Sequence, residues 1–137
     1  MSDYVLDAFA LLAFFQNEPG RARVEELLQN AEAGRDSLHA TVVNVGEMLY
    51  RLRNNHGPRA AGRALLHLDQ LHIQITDVDR DLALQAAYAK AERRLGYLDC
   101  FVFALAHRLG AILVTGDDDF ERVEDLVPID WLPQPAR

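Results

Sequence analysis

Hydrophobic positions along the chain fall into two patterns, short continuous runs and longer stretches with a helical period. The runs at 4–7, 38–41, 73–76, 111–115 and 127–130 are short and mostly bounded by polar residues or glycine, which predicts strands. Between them lie helical patterns. Residues 8–15 are apolar and end at Glu18-Pro19-Gly20. Residues 21–33 carry Val24, Leu27, Leu28 and Ala31 at i, i+3, i+4 and i+7, and Gly34 stops them. Residues 43–55 put Val45, Met48, Leu49 and Leu52 on one face, before the Asn54-Asn55-His56-Gly57-Pro58 break. Residues 59–71 line up Ala61, Ala64, Leu65 and Leu68. Residues 79–95, with Asp79 as N-cap, line up Leu84, Ala87, Tyr88, Ala91 and Leu95. Residues 98–109 are almost wholly apolar, which predicts a buried helix. A short helix near 118–123 follows the fourth strand.

Strands alternating with helices predict an α/β fold in three layers: a central, mainly parallel sheet of about five short strands, flanked by helices. One domain over 1–132 and a frayed tail over 133–137 are expected. Ligands in such folds bind beyond the carboxyl ends of the strands, near the topological switch point. Asp7 closes the first strand and Asp117 to Asp119 follow the fourth, so both lie where a site is expected.

Composition narrows the picture. Half of the 137 residues are hydrophobic, which suits one globular core. No apolar stretch reaches the roughly 18 residues of a membrane span. The N-terminal segment lacks the basic start of a signal peptide. A single cysteine, Cys100, excludes an internal disulfide and fits a reducing cytoplasm. The net charge of −7 argues against unspecific nucleic-acid binding, unless bound cations invert the local field or arginines cluster on one face. Thirteen of the fourteen basic residues are Arg, the better side chain for planar phosphate recognition.

The acids are oddly placed. Ala111-Ile-Leu-Val-Thr-Gly-Asp-Asp-Asp-Phe120 ends a buried strand in three aspartates. Close pairs of like charge repel by roughly 4 kcal/mol at 4 Å and an effective dielectric near 20. Water must screen them or a cation must sit there. Asp99 stands in the first turn of the most apolar helix, either as a dipole partner or as a carboxylate projected into a shared site. Glu47 is the one acid in an apolar first turn, either paired outward with Arg51 or turned inward. Asp7 separates two apolar runs, either as an N-cap or as a ligand. Clustered all-oxygen ligands favour Mg²⁺ or Mn²⁺ over zinc. The five histidines show no zinc spacing, and no phosphate-binding glycine motif occurs. Phe9, Phe14, Phe15, Phe101 and Phe103 read as core, not as a stacking platform.

Tyr4-Val-Leu-Asp7, Val45-Gly-Glu47, Leu98-Asp99 and Leu113-Val-Thr-Gly-Asp117-Asp-Asp119-Phe120 resemble, in order and spacing, the PIN-domain ribonucleases, specifically VapC-type toxins of bacterial toxin–antitoxin pairs. The resemblance runs from residue 3 to about 130. It implies Asp7, Glu47, Asp99 and Asp117 as catalytic acids and Asp7, Asp99, Asp117 and Asp119 as metal-binding, with Asp7 and Asp99 direct ligands and Asp118 solvated. It implies hydrolysis of RNA phosphodiesters by a metal-activated water, with Mg²⁺ or Mn²⁺ as cofactor. It also implies a homodimer and a VapB-type antitoxin that holds the toxin inactive; the cytoplasmic location without membrane contact is expected from the single cysteine and the lack of an apolar span. RNA contacts are expected from Arg51, Arg53, Arg59, Arg63, Arg93 and Arg94. One departure stands out: the family commonly has Thr or Ser after the first aspartate, and this chain has Ala8-Phe9. That feature favours the rival expectation, a catalytically weak PIN-like binding module.

Overall fold

The computed structural model describes residues 1–135; the last two positions of the expected tail, 136 and 137, lie outside the described residues. Strands β1 (Asp3–Leu6), β2 (Ser37–Thr41), β3 (Ile73–Thr76), β4 (Ile112–Thr115) and β5 (Ile129–Trp131) form one parallel sheet in the order β3-β2-β1-β4-β5. The helices are α1 (Ala8–Phe15), α2 (Arg21–Glu32), α3 (Val42–His56), α4 (Pro58–Gln70), α5 (Arg80–Arg93) and α6 (Tyr97–Leu109). Residues Asp118–Val123 form a 3₁₀ turn.

Strand side chains point alternately to the two faces of the sheet. Val5 and Leu113 therefore join α5 and α6 in one core, and Leu6 and Val114 join the helices α1 to α4 in the other. Helix α6 is buried along most of its length, as its composition predicts. Helix α3 runs along the seam, with Val43 against the first core and Val45, Met48 and Leu52 in the second.

The chain leaves β1 towards β2 and β3, then returns to β4 on the other side. The carboxyl ends of β1 and β4 therefore flank the switch point, where a crevice must open because successive connections depart in opposite directions.

Several boundaries differ from the sequence pattern. Strand β1 stops at Leu6, because Asp7 turns to cap α1. The last strand lies later than expected, at Ile129–Trp131. The larger correction concerns α5. Its buried residues are Leu82, Ala86 and Ala89, joined by Leu95 just beyond it. Of the stripe read from sequence only Leu95 is buried; Leu84, Ala87, Tyr88 and Ala91 turn outward, with Leu84 45% and Tyr88 58% exposed. Apolar residues occupy two faces of this helix, and the small Ala86 and Ala89 let α5 pack closely on α6.

Candidate active site

Four acids separated by up to 110 positions in sequence line one open crevice of about 320 Å³ at the carboxyl ends of β1 and β4. They are Asp7, Glu47, Asp99 and Asp117, and each arrives for a local reason.

Asp7 is the N-cap of α1: its Oδ1 accepts the Ala10 N–H at 2.8 Å. Its Oδ2 accepts the hydroxyl of Thr115, at the end of the neighbouring β4. The residue is 2% exposed, and burial pushes its carboxyl up to about 8. The two hydrogen bonds oppose that rise, and the charges of Asp99 and Asp117 add to it.

Asp117 follows the glycine after β4 and caps the 3₁₀ turn, its Oδ1 accepting the Asp119 N–H at 2.9 Å. Its own N–H donates to Thr115 Oγ1 at 3.0 Å. Thr115 thus ties the two strand ends together through one hydroxyl. In the sequence, a threonine closing an apolar strand reads as a β-former.

Asp99 sits in the first turn of α6. Burial raises its carboxyl to about 7, with further contributions from Asp117, Glu47 and Asp119, against the lowering effect of Arg51. Glu47 projects from α3, also raised by burial and countered first by Arg51. Arg51 Nη1 lies 3.5 Å from Glu47 Oε2, one turn along, as expected. Glu47 Oε1 is buried and has no hydrogen-bond partner among the described residues. Both alternatives raised for Glu47 are therefore realised, one oxygen turned to Arg51 and one turned inward.

The helices carrying Glu47 and Asp99 are tied together by a residue that nothing in the local sequence sets apart. Asn44, fully buried, donates to the Leu98 carbonyl at 3.1 Å. Its N–H donates to Thr41, the N-cap of α3, at 3.1 Å, and the Thr41 hydroxyl donates to Asn44 Oδ1.

One carboxylate oxygen from each of Asp99, Asp117 and Asp119 lies within 4.8 Å of the others. Such a set suits an oxygen-ligated divalent cation, and Glu47 Oε1 leaves a further unpartnered acceptor beside it. Asp7 lines the same crevice, with both oxygens hydrogen-bonded. Asp118 is exposed and lines the mouth.

Among the candidate arginines, Arg51 lines the crevice. Arg93 is engaged by both carboxylate oxygens of Asp125, at 2.8 and 2.9 Å. Arg63 lines a different groove, of about 450 Å³, with Phe15, His56 and His67 and without a carboxylate.

The aromatic set divides. Phe14, Phe101 and Phe103 are buried as expected, but Phe9 and Phe15 are only partly buried; Phe9 lines the crevice and Phe15 the groove with Arg63. The Phe9 ring packs so closely on Gly116 that a Cβ there would lie 2.3 Å from Phe9 Cε1. Gln134 also lines the crevice and donates its amide to the Gly116 carbonyl.

The sequence matches the PIN domain family over residues 4–126, and the chain belongs to that family. Its fold is shared with VapC-type systems. It superposes on a chain of DNA-bound VapBC from Salmonella typhimurium with a TM-score of 0.76 and 19% identity, covering 95% of this chain and 98% of that one. For VapBC2 from Rickettsia felis, bound to a promoter DNA fragment, the TM-score is 0.74 at 15% identity, with 96% and 99% covered. For VapC20 from Mycobacterium tuberculosis, described as a sarcin-ricin-loop-cleaving toxin, it is 0.70 at 20% identity, with 86% and 92% covered. No curated protein matches the sequence significantly.

Proposed function

We propose that this protein is a divalent-cation-dependent endoribonuclease and the toxin of a toxin–antitoxin pair. The observation that carries the proposal is the approach of Asp99, Asp117 and Asp119 within 4.8 Å, at the switch point of a PIN domain and beside Asp7 and Glu47. The raised carboxyls of Asp7 and Asp99 support it, because acids so placed disfavour their own ionisation until a cation offsets the charge.

Asp7, Asp99, Asp117 and Asp119 would hold Mg²⁺ or Mn²⁺, with Asp7 in the same crevice as Asp99 and Asp117. Such a cation supplies a lowered pKa to an attacking water and offsets charge developing on the phosphoryl group. The rest of the work belongs to the chain. Glu47, with one unpartnered oxygen, accepts a proton from the attacking water or orients it. Arg51 holds a phosphate oxygen at the rim and keeps Glu47 in place. Thr115 and Asn44 fix the geometry of the elements that carry the acids. Ala8 lacks the hydroxyl that could hold a metal-bound water or a substrate phosphate, but the crevice keeps all four acids, whose repulsion a pure binding surface has no need to bear, and this weighs against the binding-module alternative.

The RNA substrate, the antitoxin and the cytoplasmic setting belong to the same proposal. VapC20's description as a sarcin-ricin-loop-cleaving toxin supports RNA, and the VapBC structures support a VapB-type partner. An antitoxin cation placed among the acids would compete with the metal. The test is cleavage of total RNA by the partner-free protein with Mg²⁺, Mn²⁺ or EDTA. Cutting in metal and none in EDTA is expected, with suppression by the co-expressed antitoxin. No cutting in any metal would leave the binding module.

The homodimer rests on the outward stripe of α5, where Leu84 and Tyr88 stand exposed beside Ala87 and Ala91. Tyr88→Glu is expected to shift the protein from dimer to monomer by light scattering, with the thermal midpoint changed by no more than a few degrees in excess of the dimer's own contribution. A wild-type monomer at micromolar concentration would remove this part of the proposal.

A further inference from the structure

We propose that Phe9 forms a stacking subsite, on which the ring holds an unpaired nucleobase of the substrate next to the scissile phosphate. The inference rests on the ribonuclease reading above and assigns that site a contact which the acids cannot make.

Phe9 lies two residues after Asp7, in the first turn of α1, and is the one aromatic side chain lining the crevice among the described residues. The rest of the lining is carboxylates, the Arg51 guanidinium, the Gln134 amide and the small Ala8. Phe14, Phe101, Phe103 and Phe120 are buried, whereas Phe9 and Phe15 keep part of their surface exposed, and of these two only Phe9 lines the crevice. The Phe9 ring is packed against the chain on one side: Cε1 and Cζ lie 2.3 and 2.4 Å from where a Gly116 Cβ would stand, so a side chain at 116 would displace the ring. The Leu132 carbonyl lies 3.0 Å from the same point, and Gln134 donates to the Gly116 carbonyl. A ring packed on one side and partly exposed loses little freedom when a ligand covers it.

Charge explains why such a contact matters here. The chain carries −7, and the crevice gathers acids with one guanidinium, so phosphate attraction contributes little to affinity away from the cation. Stacking on an aromatic face needs no positive field and accepts any base, because every base has a π-face. Phe9, Asp99 and Asp117 line one crevice, so a phosphate held through a cation at these acids would have its flanking base in the crevice that Phe9 lines. The base must be unpaired to reach it, which directs the site to single-stranded loops or ends.

The test compares the wild type with Phe9→Ala, Phe9→Leu and Phe9→Tyr. Leucine still covers Gly116, so it separates stacking from packing. Single-stranded RNA carrying 2-aminopurine at each position in turn is mixed with protein in Mn²⁺, and fluorescence is read by stopped flow before cleavage; steady-state cleavage is measured in parallel. Position-specific quenching is expected for the wild type and Phe9→Tyr and not for the Ala and Leu variants. The Ala and Leu variants should raise KM on the order of tenfold with kcat little changed, while Mn²⁺ affinity without RNA stays constant. Phe9→Leu matching the wild type in both readouts, with RNA still cut, overturns the stacking subsite and leaves the nuclease standing. Quenching lost with the ring, in a protein that never cuts RNA, sustains the subsite and removes the nuclease.

Discussion

Asp99→Asn is expected to abolish RNA cleavage and, at the same time, to make the metal-free protein more stable. Asp99 is partly buried, and its carboxyl is pushed up to about 7 by burial and by Asp117, Glu47 and Asp119. That rise disfavours the charged form at neutral pH. Solvent reaches the group, so the expected gain on neutralising it is about 1–2 kcal/mol. In a domain of this size that raises the thermal midpoint by roughly 3–8 °C in EDTA. Cleavage should fall on the order of 10³-fold, as when a group that stabilises developing charge is removed. The sign of the stability change decides between the two roles that the sequence allowed. A dipole partner in the first turn of α6 would lose a favourable interaction on becoming Asn, and stability would fall. A member of a crowded acid cluster gains. Mn²⁺ should stabilise the wild type by mass action and the variant much less. A variant that is less stable in EDTA, or that is stabilised by Mn²⁺ as strongly as the wild type, would remove Asp99 from the metal site.

Much of this site was legible because its acids are anomalies. Asp7, Glu47 and Asp99 each interrupt an apolar segment, and Asp117 opens a run that no ordinary turn requires. Their gathering in one crevice follows from the alternation of strands and helices, which fixes a parallel sheet and hence a switch point. The supporting residues were not legible. Thr115 and Asn44 act through hydrogen bonds to elements distant in sequence, and nothing local distinguishes them from a β-former and a helix-start residue. Gln134 follows the last strand, where the sequence has no pattern to read, yet it reaches Gly116. Phe9 looked like its apolar neighbours, because exposure is a property of the crevice and not of the run Ala8–Phe15. The face of α5 was misread because periodicity ranks apolar stripes only when one helix face is clearly polar. With Leu82, Ala86 and Ala89 on one side and Leu84, Ala87, Tyr88 and Ala91 on the other, packing on α6 made the choice.

The same crowding of acids predicts a stability that falls as pH rises through neutrality. Asp7 and Asp99 are pushed up to about 8 and about 7, and Glu47 is raised as well. In the unfolded chain these groups titrate near the usual carboxylate values, about 3.9 to 4.3. Between that range and their folded values, the unfolded chain has released protons that the folded protein still holds. Folding is therefore favoured most at low pH within this window, and the advantage is lost as pH climbs through about 7 and 8. Asp79 shifts the other way, lowered by its cap to the Leu82 N–H, but its contribution is lost only as pH falls through the carboxylate range. Cys100, raised to about 11 by burial, acts above the window, where an ordinary thiol would ionise. From pH 5.5 to pH 8.5 in EDTA, the net loss is expected to be on the order of 3 kcal/mol, chiefly from Asp7. That lowers the thermal midpoint by roughly 10 °C. Mn²⁺ should reverse most of the fall at pH 8.5 and do little at pH 5.5, because the cation binds the deprotonated acids and competes with protons for them. Thermal melts at the two pH values, with and without Mn²⁺, separate the possibilities. A midpoint that is flat or rises towards pH 8.5 in EDTA would mean that the acids are neither desolvated nor close. A midpoint that falls as expected but ignores Mn²⁺ would keep the crowded crevice and take away its cation.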